Sequence, residues 1–228
     1  MNICFIPARG GSKRIPRKNI KHFRGKPMIA WSIKAALDSN CFEKIIVSTD
    51  DQEIAEISSL LGAEVPFKRP QELSNDYATT QEVILHGINW LEESKLDTNL
   101  ICCIYATAPF IQSEDIKKGI KMCCGDKSES FVFTATTFDF PIQRAIKIDD
   151  KGFSRMLYPK NYLTRSQDLE EYYHDAGQFY IGSINTWKNK FSFFENGNPL
   201  FLPRWRVQDI DNQEDWVRAE KLHQILFL

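Results

Sequence analysis

Asn2-Ile-Cys-Phe-Ile-Pro-Ala-Arg-Gly-Gly-Ser-Lys-Arg-Ile-Pro-Arg-Lys-Asn19 carries the reading on which the fold turns. Asn2–Ile6 has the continuous apolar character of a strand buried on both faces, and it runs without a break into a glycine-rich basic loop. A loop at the carboxyl end of a strand in an open parallel sheet lies where such sheets bind ligands. Gly10 and Gly11 can turn their amides toward phosphate oxygens with no Cβ in the way, and Arg9, Lys13 and Lys18 supply charge. The order of residues is neither that of a Walker loop nor that of a Gly-x-Gly-x-x-Gly dinucleotide turn. Residues 1–37 hold nine Lys and Arg and no acid, the first carboxylate being Asp38. That segment is +9 in a chain of net charge −1, which points to a polyanion held at one place.

Outward from this loop, strand-like and helix-like runs alternate. Helical periodicity predicts helices over Pro27–Leu37, Asp51–Leu61, Thr80–Glu92, Ser113–Cys123 and Asn212–Phe227. Strands are predicted at Lys44–Ser48, Leu100–Tyr105, Ser130–Thr136, Gln178–Ile184 and Val207–Ile210. Alternation of this kind predicts an α/β fold: a mostly parallel, Rossmann-like sheet with helices on both faces. From Phe138 to Tyr172 the helical period lapses into extended, aromatic, proline-bearing sequence. The expected organisation is therefore a core of residues 1–137 and 173–228 with a β-rich arm of residues 138–172. Asp50-x-x-Glu53 has the spacing of a capping box, and both Asp50 and Asp51 are read as helix-start residues outside the site.

The 228 residues contain no apolar run of the roughly 20 needed to span a bilayer. The first residues have the wrong order for a secretory signal, so a cytoplasmic protein is expected. Cys102–Cys103 and Cys123–Cys124 are adjacent pairs and no Cys-x-x-Cys occurs, which suits plain thiols in a reducing cell. Net charge excludes a nucleic-acid footprint for the whole chain, and only Phe23 and Trp31 could stack near the basic loop.

Ala8-Arg-Gly-Gly-Ser-Lys-x-x-x-x-Lys-Asn19 after the first strand resembles the triphosphate loop of the CMP-sugar-acid synthetases, the acylneuraminate cytidylyltransferase family. Ile45-Ile-Val-Ser-Thr-Asp50 resembles that family's second strand, and Arg69-Pro-x-Glu-Leu73 followed by Asp76 its cytosine-reading segment. The resemblance spans nearly the whole chain in matching order. It implies that Ala8, Arg9, Gly10, Gly11, Ser12, Lys18 and Asn19 serve the phosphates, and that Arg69, Ala78 and Thr80 serve the nucleoside. In Val207-Gln-Asp-Ile-Asp-Asn212, residues two apart on a strand face one way, so Asp209 and Asp211 project together. Paired carboxylates beside a triphosphate suit Mg²⁺. The alternative is that one of them caps the following helix. The family places its metal-binding aspartates here, which implies a catalytic set of Arg9, Lys18, Asp209 and Asp211.

The acceptor half departs from the sialic acid synthetases. Their Gln-Pro-Thr-Ser-Pro-Leu-Arg becomes Tyr105-Ala-Thr-Ala-Pro-Phe-Ile111, their Arg-x-Asn-Gly turn becomes His174-Asp-Ala-Gly177, and their arm lysine becomes Gln143 beside Arg144. Arg165 is kept. With Phe140-Pro-Ile-Gln-Arg144 and Tyr173–Tyr180, this set resembles the pseudaminic acid cytidylyltransferases of the same family. The resemblance implies a nine-carbon sugar acid as acceptor, touched by Tyr105, Thr107, Gln143, Arg144, Arg165, His174, Asp175, Gln178 and Phe179. It also implies a homodimer held by the arm, and a product used in glycosylating a bacterial surface structure. His174 beside Asp175 is read either as an acid–base pair or as a hydrogen-bonding turn residue. The nearest alternative is the same chemistry with sialic, legionaminic or ketodeoxyoctonic acid as acceptor; a CTP-binding sensor without turnover is the alternative of another class.

Overall fold

The computed structural model describes residues 1–123, 129–189 and 192–226. Its core is a six-stranded sheet in the order β10-β6-β9-β5-β1-β4. The strands are β1 (Asn2–Pro7), β4 (Lys44–Ser48), β5 (Leu100–Ile104), β6 (Val132–Thr137), β9 (Tyr173–Ser183) and β10 (Asn198–Phe201). β1 pairs in parallel with β4 and β5, and β10 with β6, while β9 runs antiparallel to both of its neighbours. The sheet is therefore mostly parallel with one reversed strand. That reversal brings the start of β9 to the edge where β5 and β6 end.

Strand alternation sorts the core into two layers. Cys4, Ile6, Val47, Cys102 and Ile104 face one layer with Ile29 and Ile33 of α1 (Met28–Ser39), Ile54 of α2 (Gln52–Leu60) and Ile116 of α4 (Ser113–Cys123). Ile3, Phe5, Ile46, Ile101 and Cys103 face the other, with Ile84, Ile88 and Leu91 of α3 (Thr80–Glu93) and Trp187 of α5 (Ile184–Asn189). α3 crosses β1 so closely that a Cβ on Gly87 would lie 2.6 Å from the Phe5 ring. Cys4, Cys102 and Cys103 are buried free thiols and Cys41 is a partly covered one; Cys124 lies outside the described residues.

Local signals set the ends. Thr79 and Glu82 form a reciprocal capping box at α3. At α2 the cap is Asp51, whose side chain accepts from the Ile54 N–H at 3.0 Å, so the expected Asp50–Glu53 box is replaced by a one-way cap a residue further on. The hairpin of β2 (His22–Phe23) and β3 (Lys26–Pro27) turns on Arg24 and Gly25, both with positive φ. α6 (Gln213–Leu226) is capped by Asn212, which accepts from the Asp215 N–H, while the Asp215 carboxylate reaches back to the amides of Asp211 and Asn212. The expected extension of that helix to Phe227 falls outside the described residues.

Two strand expectations need correction. Val207–Asp211 is extended chain outside the sheet, following a short 3₁₀ turn at Arg204–Arg206. The late parallel strand is instead Asn198–Phe201, with Pro199 inside it. Proline is tolerated there because β10 is the sheet's edge. The arm leaves after β6 and returns at β9, where the Phe138 N–H meets the Tyr172 carbonyl at 3.4 Å. Its strand content is a single hairpin, β7 (Ile146–Ile148) with β8 (Ser154–Met156); 3₁₀ turns and coil make up most of the rest, so the arm is less β-rich than expected.

Candidate active site

Two apolar pins bring the site together. Ile15, in the middle of the basic loop, and Ile210, between the two C-terminal aspartates, are both wholly buried in one cluster with Phe23, Phe110 and Trp216. Burying an aliphatic side chain of this size stabilises by roughly 1.5–3 kcal/mol. The polar residues on either side of each pin are thereby held close. The Lys18 ammonium donates to the Ile210 carbonyl at 2.7 Å and lies 3.9 Å from Asp211, and Arg14 pairs with Asp211 at 3.0 Å.

The loop itself is braced from beneath. Ala8 continues β1's ladder by donating to the Ser48 carbonyl at 2.9 Å, and the buried Asn19 amide donates to the Arg9 carbonyl at 2.9 Å. The Gly10 N–H donates to Asp50 Oδ1 at 2.9 Å. A Cβ on Gly10 would meet Asp51 Oδ2 at 2.7 Å, whereas one on Gly11 would meet open space. Arg17, at φ 56°, forks across Asp51 and Glu53. That contact holds the Asp51 carboxyl below its ordinary pKa. The structure thus puts Asp50 and Asp51 against the loop, where sequence reading had kept them outside the site. Their position after β4, next to β1, was the available clue.

Arg9 and Lys13 reach over to Asp76, Arg9 at 2.8 Å. Hydrogen bonds from Lys13 and then Arg9 depress the Asp76 pKa. Ala78 precedes α3 and Thr80 opens it. Thr80 Oγ1 lies 3.1 Å from the Tyr105 hydroxyl. Arg69 is buried, bonding Ser48 and the Leu73 carbonyl, and burial lowers its pKa to about 10.

Asp209 and Asp211 lie within each other's field although they are not on a strand. Burial first, and Asp211 second, raise the Asp209 pKa, while burial lowers that of Lys18. Asn212 takes the capping role, so neither aspartate caps α6. Among the described residues no group of three or more His, Cys, Asp or Glu stands ready for a metal. The pair offers two carboxylates and needs further oxygens from elsewhere.

Beside Asp209 opens a cleft of about 1010 Å³, walled by Tyr105, Thr136, Phe138, His174, Asp175, Gly177 and, from the C-terminal segment, Arg204, Trp205 and Arg218. Its floor is a wide bulge in β9: Ala135 pairs with Asp175 but Phe133 with Tyr180, leaving Ala176–Phe179 opposite Thr134. Gly177, at φ 61°, makes that bulge possible. What looked like a turn before the strand is therefore a bulge inside it. Asp175 is fixed from two sides, by the Gly177 N–H at 2.9 Å and by the Tyr180 hydroxyl. Burial, then Tyr105, push the Tyr180 pKa up strongly. His174 places Nδ1 2.8 Å from the Asp175 carbonyl and its ring against Phe138, so its partner is backbone rather than the Asp175 carboxylate.

The other expected acceptor residues lie off this cleft. Thr107 is half-buried in the loop after β5, and Phe179 is wholly in the core. Gln178 is buried and donates to the Arg206 carbonyl at 2.8 Å, and Gln143 is buried and donates to the Glu170 carbonyl at 2.8 Å. Arg144 gathers the carbonyls of Asn161, Tyr162 and Thr164, and Arg165 pairs with Asp168. Sequence reading missed Asp139, Arg204 and Arg218, because nothing local marks an exposed charged residue as lining a cleft.

The chain is similar to known proteins along nearly its whole length. Residues 3–150 match the family model described as cytidylyltransferase. A pseudaminic acid cytidylyltransferase of Campylobacter jejuni is 43% identical over 225 residues, covering 98% of this chain and 97% of that protein. A CMP-N,N'-diacetyllegionaminic acid synthase of Legionella pneumophila is 30% identical, covering 98% and 96%. A CMP:2-keto-3-deoxy-manno-octonic acid synthetase solved with CTP superposes with a TM-score of 0.72 over 99% of both chains at 15% identity, a likeness of fold. A glycine loop of this build, on this sheet, with a family match over more than half its length, makes the chain a nucleotidyltransferase that belongs to the cytidylyltransferase family.

Proposed function

We propose that the chain transfers CMP from CTP to pseudaminic acid and releases pyrophosphate. The observation that carries this reading is the meeting, over the Ile15–Ile210 pins, of a braced cationic glycine loop with a cleft large enough for a nine-carbon sugar acid. The named activity of the Campylobacter relative supports pseudaminic acid over its legionaminic and sialic counterparts. In the reaction the anomeric hydroxyl oxygen bonds to the α-phosphorus as the bond to the pyrophosphate oxygen breaks. Alignment and charge neutralisation account for most of the acceleration of such a displacement. Arg9 and Lys13 exchange Asp76 for the triphosphate, the Gly10–Gly11 turn lines its path, and Lys18 stands beside the Asp209–Asp211 pair.

The donor set fits Mg²⁺. Two carboxylates next to a phosphate site, with the Asp209 carboxyl raised by burial and then by Asp211, are the arrangement in which Mg²⁺ completes its shell with substrate oxygens. Asp209 and Asp211 would hold it, and when bound it neutralises charge on the phosphate oxygens. The same reading takes the exposed Phe140, Ile146, Ile148, Phe153 and Leu163 of the arm as the surface packed on a second copy. No helix among the described residues is long and apolar enough to cross a membrane, and this reading keeps the protein in the cytoplasm.

The test is pyrophosphate release from CTP and Mg²⁺ with pseudaminic, legionaminic, sialic or ketodeoxyoctonic acid supplied separately. Turnover confined to pseudaminic acid is expected. Turnover with another acid alone would overturn the acceptor assignment, and CTP binding without turnover would favour a sensor.

A further inference from the structure

An acid acceptor needs a cation, and the chain's other candidate arginines and lysines around the site have commitments elsewhere. Arg9 and Lys13 belong to the phosphate loop, Arg14 of that loop pairs with Asp211, and Lys18 is held on the Ile210 carbonyl. Arg144 is bound to three carbonyls inside the arm, and Arg165 to its own neighbour Asp168. Among the described residues lining the cleft the cations are Arg204 and Arg218. Between them stands the carboxylate of Asp139, 3.4 Å from Arg204 Nε and 3.9 Å from an Arg218 terminal nitrogen. The fold thus already holds one carboxylate between two guanidiniums at the cleft wall. The two arginines are not equivalent. Arg204 also donates to the carbonyls of Phe138 and Asp139, at 3.0 and 3.3 Å, and so clamps the root of the arm. Arg218 projects from α6, and among the described residues its ionic partner is Asp139, at the long distance alone.

Resting on the sugar-acid reading above, we propose that Arg218 receives the acceptor's carboxylate, with Asp139 holding its guanidinium in the cleft until the acceptor arrives. A guanidinium matches a carboxylate through two parallel N–H donors, which an ammonium cannot reproduce. In a 2-keto sugar acid the carboxylate is bonded to the anomeric carbon. The residue that grips it therefore also fixes the direction of the attacking hydroxyl. The loss of cations from the motifs on the other wall then has a counterpart: the cation comes from the C-terminal helix.

The experiment compares the free acid with its methyl ester as acceptors for the wild type, Arg218→Gln, Arg218→Lys, Arg144→Gln and Arg165→Gln, with CTP and Mg²⁺ present. The wild type is expected to favour the acid by about 10–100-fold in kcat/KM, the range of a charge-assisted hydrogen bond. Arg218→Gln should raise the acid's KM by a similar factor, leave the KM for CTP within about twofold, and bring acid and ester nearly level. Arg218→Lys should recover part of the preference. A general loss of fold would weaken acid and ester alike and would move the KM for CTP. Full acid preference in Arg218→Gln, a wild type indifferent to the ester, or collapse of the preference in Arg144→Gln or Arg165→Gln would each overturn the assignment while sparing the parent reading. A wild type that turns over no sugar acid would overturn both.

Discussion

Replacing Asp115 by Asn should destabilise this protein far more than losing any of its surface ion pairs. Asp115, in the first turn of α4, and Arg206 have side chains only 5% and 8% exposed. Their contacts are 2.6 Å and 3.3 Å, one to each carboxylate oxygen. Asparagine keeps the shape but removes the charge, leaving a guanidinium buried without a counter-ion. Breaking a buried pair from one side costs about 3–5 kcal/mol, against about 0.3–0.5 kcal/mol for an exposed helical pair such as Lys34–Asp38. Total stability is of the order of 5–15 kcal/mol, so this loss is a large share of it. At about 2–4 °C per kcal/mol for a chain of this size, Tm should fall by about 6–20 °C. The Arg206 carbonyl also accepts from Gln178, and the chain that follows carries Asp209 and Asp211. Activity should therefore decline well before global unfolding. The assay is thermal and urea denaturation of Asp115→Asn, Arg206→Met and the double variant Asp115→Leu/Arg206→Met. The apolar double variant should recover most of the loss, because it buries no lone charge. An Asp115→Asn variant less than about 1 kcal/mol below wild type would refute the reasoning, since it would mean that water reaches the guanidinium.

Gly10→Ala should cut kcat/KM for CTP by at least about tenfold, because its Cβ would strike the Asp51 carboxylate that caps α2; Gly11→Ala, facing open space, should stay within about threefold, and equal effects would count against the loop geometry. Tyr180→Phe removes the hydroxyl that holds Asp175 and should raise the acceptor KM by about 3–10-fold at constant CTP KM; a change confined to CTP would contradict this placement. Burial, then Arg24, keep the His223 imidazole below its ordinary pKa among Phe23, Trp31 and Phe110. The unfolded chain binds the extra proton, so this contribution is complete above about pH 6.5 and is lost as pH falls below it. Urea midpoints between pH 7.5 and 5.5 should therefore fall for the wild type and fall less for His223→Gln, with His86, also depressed by burial, retaining part of the slope.

The local rules were sufficient for much of the chain. Apolar runs and periodicity placed β1, β4 and β5 and the five longer helices, because each buries its pattern against the same sheet and needs no information from afar. The glycine loop was legible for the same reason: its conformational freedom, its charge and its place after a strand are all local. What the sequence by itself could not decide was which distant groups share a volume. Asp50 and Asp51 read as a helix start until β4 lay beside β1 and put them beneath Gly10. Strand alternation does not hold at Asp209 and Asp211, whose closeness to Lys18 comes from Ile15 and Ile210 sharing one apolar cluster. The bulge at Gly177 depends on pairing β9 with two neighbours at once, and Arg218 enters the cleft only because α6 packs against its mouth. Backbone preference and burial period act over a few residues and are written in sequence order. Charge and shape complementarity at the site act over a few ångströms, and only the closed tertiary structure brings residues 9, 76, 139, 175, 209 and 218 to one edge of the sheet.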